Sequence, residues 1–282
     1  MNADDAYRRH RGLVFTIAYD ITGSVADAED VAQETYLAWR DVTAEVADPR
    51  AYLAATATRR ALNSLRTAAR RREDYIGPWL PDPLPTAELD PEERAITADA
   101  VSMALLVVLQ SLSEDERAAF VLHEVFGFGY GEIAASLQRT EASVRQLVSR
   151  ARAKVRERRP RNEIGAAEHR AVVERFADAA TSGDVAALIA LMAPDAVLTT
   201  DSGGKASAAR RPILGPENIA RFLLGLAEKY PNFVGEAAEL NGRVAMLFRD
   251  AGEVIATIQF DTADGLVTDL FAMRNPDKLA HL

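Results

Sequence analysis

Apolar residues fall at helical spacing from the start of the chain. In DAYRRHRGLVFTIAYDIT, Leu13, Val14, Ile17 and Ala18 share one face, the three-and-four step that lets a helix bury one side. Gly23 and Ser24 interrupt it, and Ser24 is suited to cap a second helix over roughly 25–41. A third helix opens at Asp48-Pro49, proline being suited to a first turn, and runs to about Arg72. The pattern then breaks. IGPWLPDPLPTAELDP, residues 76–91, is crowded with proline, which lacks a backbone donor and favours extended chain. Helical spacing resumes from Glu92 to about Arg159, and RRPRNEIG makes a second junction. Beyond Ala166 the texture changes. Helical stretches over 167–182 and 184–192 precede AVLTT, and GPENIARFLLGLAEKY carries a third. RVAMLFR, EVIATIQFD and LVTDLFAMR then read as strands separated by DAG and TADG turns. Helices followed by an antiparallel meander predict an α+β domain. The expected divisions are 1–74, a linker at 75–91, 92–160 and 166–282.

The polar faces carry the candidate chemistry. In GYGEIAASLQRTEASVRQLVSRARAKV, residues 129–155, a short helix, a tight turn at Gln138-Arg139 and a Thr140 cap lead into a second helix. Val144, Leu147, Val148, Ala151 and Val155 form its apolar stripe, while Ser143, Arg145, Gln146, Ser149, Arg150 and Arg152 face away. A helix-turn-helix needs this division, one face for packing and one for the major groove. Arginine and glutamine can bond base edges, and further arginines hold phosphates. The alternative is a solvated helix in a bundle. On the third helix Tyr52, Thr56, Arg59, Asn63, Arg66 and Arg70 fall on one stripe. It is either a charged surface or a set able to stack on unpaired bases and hold a backbone. The second helix is opposite in character: Asp27, Asp30 and Glu34 share a face with Gln33 beside them. Carboxylates there complement the helix dipole or greet a basic partner.

Composition narrows the class. The chain has 282 residues and no cysteine, so thiolate metal sites and disulfides are excluded. The four histidines share no ligand spacing. The longest apolar run, MALLVVL, is too short for a membrane span, and the polar start MNADDAYRRH is unlike a signal peptide. A cytoplasmic protein without cofactor or metal is expected. Net charge is −9, yet basic residues concentrate in 139–161 and 73–116 is acidic but for Arg94. A candidate DNA-facing helix thus sits in an acidic body.

GSVADAEDVAQETYLAW, then an Arg-rich helix, a linker and LSEDERAAFVLHEVFGFGYGEIAASLQRTEASVRQLVSRARAKV, resemble a bacterial RNA polymerase sigma factor of the extracytoplasmic-function class across residues 1–158. WLPDP (79–83), DSGGK (201–205) and NPDKL (275–279) resemble signatures of the subgroup with a fused SnoaL-like C-terminal domain. The resemblance implies a multidomain fold: two all-α domains, the second with the helix-turn-helix, followed by a cone-shaped α+β barrel. It implies that Asp27, Asp30, Gln33 and Glu34 dock on the clamp helices of the largest subunit of core RNA polymerase. It further implies that Tyr52, Thr56, Arg59, Asn63, Arg66 and Arg70 engage the melted promoter −10 element. Thr140, Ser143, Arg145, Gln146, Ser149 and Arg150 would read the −35 duplex. Asn63 departs from the aspartate common in relatives, Ser202 from a glycine-richer DGGGK, and Asp82 from a glutamate.

The apolar, rigid WLPDP suggests more than a spacer, since Trp79 wants a surface to bury against. The expectation is control in cis, with the C-terminal domain gripping Trp79, Leu80, Pro81 and Asp82 through Asp201, Lys205, Asn275, Asp277 and Lys278. Asp201, Lys205, Arg211 and Arg274 are candidates to line a pocket or an interdomain contact, and a small ligand there is left open. An aspartate in such a cone can serve as a general base, but no nucleophile–base pair is apparent and no enzymatic activity is expected. The rival readings are a stand-alone helix-turn-helix regulator and an isomerase- or hydrolase-like enzyme.

Overall fold

A computed structural model of the chain describes residues 3–86, 102–158 and 164–282, without the side chains of 69–73. Arg70 of the third-helix stripe therefore lies outside the described side chains, and the linker residues 87–91, the expected helical start over 92–101 and the junction at 159–163 lie outside the described residues. The described residues divide into two compact units, one built on 3–73 and 105–158, the other on 74–86, 102–104 and 164–282.

The first unit is helical: α1 (Ala3–Thr22), α2 (Val25–Arg40), α3 (Pro49–Glu73), α4 (Met103–Leu109), α5 (Glu114–Phe120), a π turn (Val121–Val125), α6 (Tyr130–Leu137) and α7 (Glu141–Arg158). Leu13, Val14, Ile17 and Ala18 are buried, and Leu53, Ala57 and Ala61 of α3 join them in the core. Caps set the helix starts. The Ser24 hydroxyl accepts from the Asp27 amide, and Ser113 and Glu116 form a reciprocal capping box on α5. The buried Arg117 ties α5 to the earlier helices, donating to the carbonyls of Leu109 at 2.9 Å and Ile21 at 2.8 Å. The chain turns between α6 and α7 at Gln138, whose φ of 54° is left-handed. Thr140 caps α7 by accepting from the Ser143 amide at 3.2 Å.

The second unit is α+β. Helices α8 (Ala166–Ser182) and α9 (Val185–Ala190) precede strand β1 (Met192–Asp201). Strand β2 (Ile213–Leu214), helix α10 (Pro216–Lys229) and strands β3 (Val234–Leu240), β4 (Arg243–Asp250), β5 (Glu253–Ala263) and β6 (Leu266–Met273) follow. The sheet order is β2-β1-β6-β5-β4-β3. Phe176 of α8, Leu188 of α9 and Ile219 of α10 pack with Leu198, Phe260 and Leu270 of the sheet in one apolar core. The strands from β3 to β6 are an antiparallel meander, as expected of the later ones, but β1 joins β6 in parallel. Two local expectations are corrected. The stretch read as helix over 184–192 is helical only to Ala190, and Met192 already pairs with Val267 of β6. β3 was not anticipated from VGEAAEL, because it is an edge strand exposed over most of its length and so lacks the alternation of a half-buried strand.

Candidate functional site

Residues 74–86 belong to the second unit and lie in its surface as an extended segment pinned at nearly every step. At its centre Asp201, wholly buried at the end of β1, pairs with Lys278 across 2.9 Å. Each member also holds the linker. The Asp201 carboxylate accepts from the Leu80 amide at 2.8 Å and from the Tyr75 hydroxyl. The Lys278 ammonium donates to the Leu80 carbonyl at 2.5 Å, lies 3.7 Å from the centre of the Trp79 ring, and faces Asp82 at 3.9 Å. Burial, with the hydrogen bond to Asp201, pushes the Tyr75 hydroxyl far above its usual range, so it remains a donor. The amide of Asn275 donates to that hydroxyl at 2.8 Å.

Glycine is required where the DSGGK turn approaches this cluster. At Gly203, φ is 56°, and a Cβ there would stand 2.7 Å from the Asn275 amide nitrogen and 3.1 Å from the Tyr75 oxygen. Further along, Leu84 and Asn241 exchange two hydrogen bonds, at 3.1 and 2.8 Å. Pro85 bridges to Leu240 at the end of β3, and Thr86 donates to the Glu239 carbonyl through its amide at 3.2 Å. His281 bonds the Pro83 carbonyl at 2.7 Å. Leu80, Pro81 and Asp82 are buried, and Trp79 is partly so. Lys205 pairs with Asp277 at the exposed margin. All nine residues expected to join the linker to the C-terminal domain thus fall in one neighbourhood. Sequence reasoning missed Tyr75, Asn241, Thr86 and His281. Only the position of Tyr75 beside WLPDP hinted at its part.

In the first unit, the stripe expected to be buried on α7 is buried, and Arg145, Gln146, Ser149 and Arg150 are exposed with Ser143 partly so. Several cations on this face have internal partners. Arg150 and Lys154 both pair with Glu116, at 3.0 and 2.8 Å, and Arg145 pairs with Glu141 at 3.1 Å. Burial raises the Glu116 carboxyl, but the bonds from Lys154, Ser113 and Arg150 outweigh it and hold it down at about 2.

On α3, Arg59 and Asn63 are exposed, while Thr56 is buried and bonds back to the Tyr52 carbonyl at 2.9 Å. Tyr52 tilts against Trp39 with ring centres 5.5 Å apart, and Arg66 pairs with Glu114 at 2.7 Å. The exposed part of the stripe is therefore narrower than spacing alone implied. Asp30, Gln33 and Glu34 project from α2, with Asp27 partly covered and Glu34 paired to Arg60. Leu37, 41% exposed on the same face, was not anticipated.

The second unit also contains a cavity of about 560 Å³, among whose lining residues are Phe176, Tyr230, Phe248 and Arg274. Of the four polar candidates named for a pocket, Arg274 is there, Asp201 serves the linker contacts, Lys205 pairs with Asp277 beside them, and Arg211 is exposed. Asp201, bound to Lys278 and to linker donors, is not placed as a general base. The buried His169 is occupied with Thr262 and the Val244 carbonyl, at 2.9 and 3.1 Å. Among the described residues no cluster could hold a metal ion, and no helix is long and apolar enough to cross a membrane.

Residues 6–71 match the Sigma-70 region 2 family and residues 102–155 the Sigma-70, region 4 family. The chain is 38% identical to the ECF RNA polymerase sigma factor SigJ of Mycobacterium tuberculosis, over 97% of this chain and 91% of that one. It is 33% identical to the probable ECF RNA polymerase sigma factor SigI of the same organism, over 67% and 66% of the two chains. The crystal structure of M. tuberculosis SigJ superposes with a TM-score of 0.78 at 35% identity, covering 96% of this chain and 95% of that one. The helical front with its helix-turn-helix, followed by an α+β domain, therefore has a counterpart along nearly the whole length of a known sigma factor, and the chain belongs to the ECF RNA polymerase sigma factors.

Proposed function

We propose that this sigma factor is governed in cis, the C-terminal domain holding residues 75–86 and so setting how its polymerase- and DNA-binding domains are presented. The observation that supports this best is the buried Asp201–Lys278 pair, since both members also bind atoms of the linker. A passive tether gains nothing from burying ions, which cost several kcal/mol each to desolvate unless well paired. The working divisions are residues 1–74, the linker 75–91, residues 92–160 and residues 166–282.

In this reading the α2 face of Asp27, Asp30, Gln33 and Glu34, with Leu37 added, docks on the clamp helices of core polymerase in the cytoplasm. Tyr52, Thr56, Arg59, Asn63, Arg66 and Arg70 engage the opened −10 strand. Thr140, Ser143, Arg145, Gln146, Ser149 and Arg150 read the −35 duplex. The ion pairs that Arg150, Arg145 and Arg66 form internally must then be exchanged for contacts with nucleic acid. The protein acts by binding and not by catalysis, which the engagement of Asp201 by Lys278 supports.

Replacing Trp79 and Asp82 with alanine in the full chain and measuring promoter-dependent transcription with bacterial core polymerase tests the cis reading. Altered output is expected. Output identical to the parent chain would overturn it.

A further inference from the structure

The cavity of the second unit is lined almost wholly by apolar groups, including Phe222, Leu223, Phe248 and Ile258. Its size, about 560 Å³, is that of a pocket for a small organic molecule. Arg274 is the only charged residue among the described lining residues, and it is itself 8% exposed. Its Nη1 donates to the Ser207 carbonyl at 2.8 Å, and its guanidinium carbon lies 4.9 Å from the centre of the Tyr230 ring. Its Nε is buried without a hydrogen-bond partner, and no carboxylate pairs with it among the described residues. The guanidinium is thus a buried cation without a countercharge among the described residues, which an anionic occupant of the cavity would supply. A second cation, Lys229, stands 5.3 Å from the Tyr230 ring, which also lines the cavity.

We propose that this cavity is a binding site for an apolar molecule bearing one carboxylate, its hydrocarbon part against the phenylalanine-rich wall and its carboxylate on Arg274. A planar carboxylate matches the guanidinium fork, and the bond is charge-assisted and shielded from water. The apolar walls supply the remaining affinity by removing hydrocarbon surface from water. Arg274 immediately precedes Asn275, and its amide donates to the Asp201 carbonyl at 2.6 Å. The proposed ligand site and the linker contacts thus share the end of β6.

The test is binding to the full-length protein, which is independent of whether the cis reading of transcription holds. The probes are 2-naphthoate and 2-naphthamide, the same ring system with and without the charge, measured by calorimetry. The parent chain is expected to bind naphthoate about tenfold more tightly than naphthamide, a difference of about 1.4 kcal/mol. Arg274→Gln should erase that preference while still binding naphthamide, which shows that the cavity has survived. Ala227→Trp, at an exposed position that lines the cavity, should weaken both probes. The proposal is overturned by equal affinities in the parent chain or by a preference that survives Arg274→Gln. Binding indifferent to Ala227→Trp, or no binding of either probe to the folded parent, overturns it too.

Discussion

Lys278 connects the Leu80 carbonyl, the Tyr75 and Trp79 rings and Asp82 of the linker to one buried carboxylate. Replacing it with methionine leaves Asp201 buried without its countercharge, a change that costs about 3–5 kcal/mol when a buried pair is broken on one side. Denaturant unfolding of Lys278→Met should show a loss of that order, and a loss below about 1 kcal/mol would mean that Asp201 finds water instead. Asp269 on β6 carries the opposite kind of signature. Burial, and then the nearby Asp261 charge, raise its carboxyl from 3.8 to about 6. Between those values the folded chain binds more protons than the unfolded one, so stability falls as pH rises through that window. Above it the ionised carboxylate is a standing penalty. Asp269→Asn should therefore raise the unfolding temperature at pH 7.5 and do so less at pH 5. A gain that is equal at both, or larger at pH 5, would contradict the assigned titration.

At the scale of elements, the linker segment and the DSGGK turn act as a single structure. Gly203→Ala would introduce a Cβ 2.7 Å from the Asn275 amide nitrogen in a left-handed conformation, a backbone cost of about 1–2 kcal/mol for a residue other than glycine. Asn275 would have to abandon the Tyr75 hydroxyl to make room. Amide exchange at Leu80, whose N–H donates to Asp201, should quicken in Gly203→Ala, and unchanged protection would show that the turn is not coupled to the linker. Much of this arrangement was legible. Helical periodicity located α1, α2, α3 and α7, because each buries a single stripe against the core. WLPDP, DSGGK and NPDKL were visible as motifs, each short and local. What periodicity could not show was the pairing of distant residues. Tyr75 meets Asp201 across 126 positions and Asn275 across 200, and Leu84 meets Asn241 across 157. Nothing in the sequence around Asn241 distinguishes it from an ordinary turn residue. β3 was missed for a related reason: its exposed edge carries no alternation to read. The narrowing of the α3 stripe likewise follows from tertiary packing, as Thr56 turns inward and Arg66 meets Glu114.

For the whole molecule, the decisive contrast is between a cationic recognition helix and a net charge of −9. Phosphate contacts dominate non-specific affinity for DNA, so an acidic chain whose arginines are partly paired with its own carboxylates should bind duplex weakly by itself. Filter binding to promoter duplex at physiological salt should show weak retention of the isolated protein and firm retention once core polymerase is added. Tight binding by the isolated chain would contradict this. On the proposed reading, the same division of labour lets control lie outside the DNA-reading surfaces: a domain that holds the linker would alter presentation without touching a base. The most direct measurement is promoter-dependent transcription by purified bacterial core polymerase, comparing the full-length chain with its Lys278→Met variant. Promoter-specific transcripts from the full-length chain, with an output that changes several-fold when the linker is released, are expected. Promoter-specific transcription that is the same from both chains would contradict control through the linker.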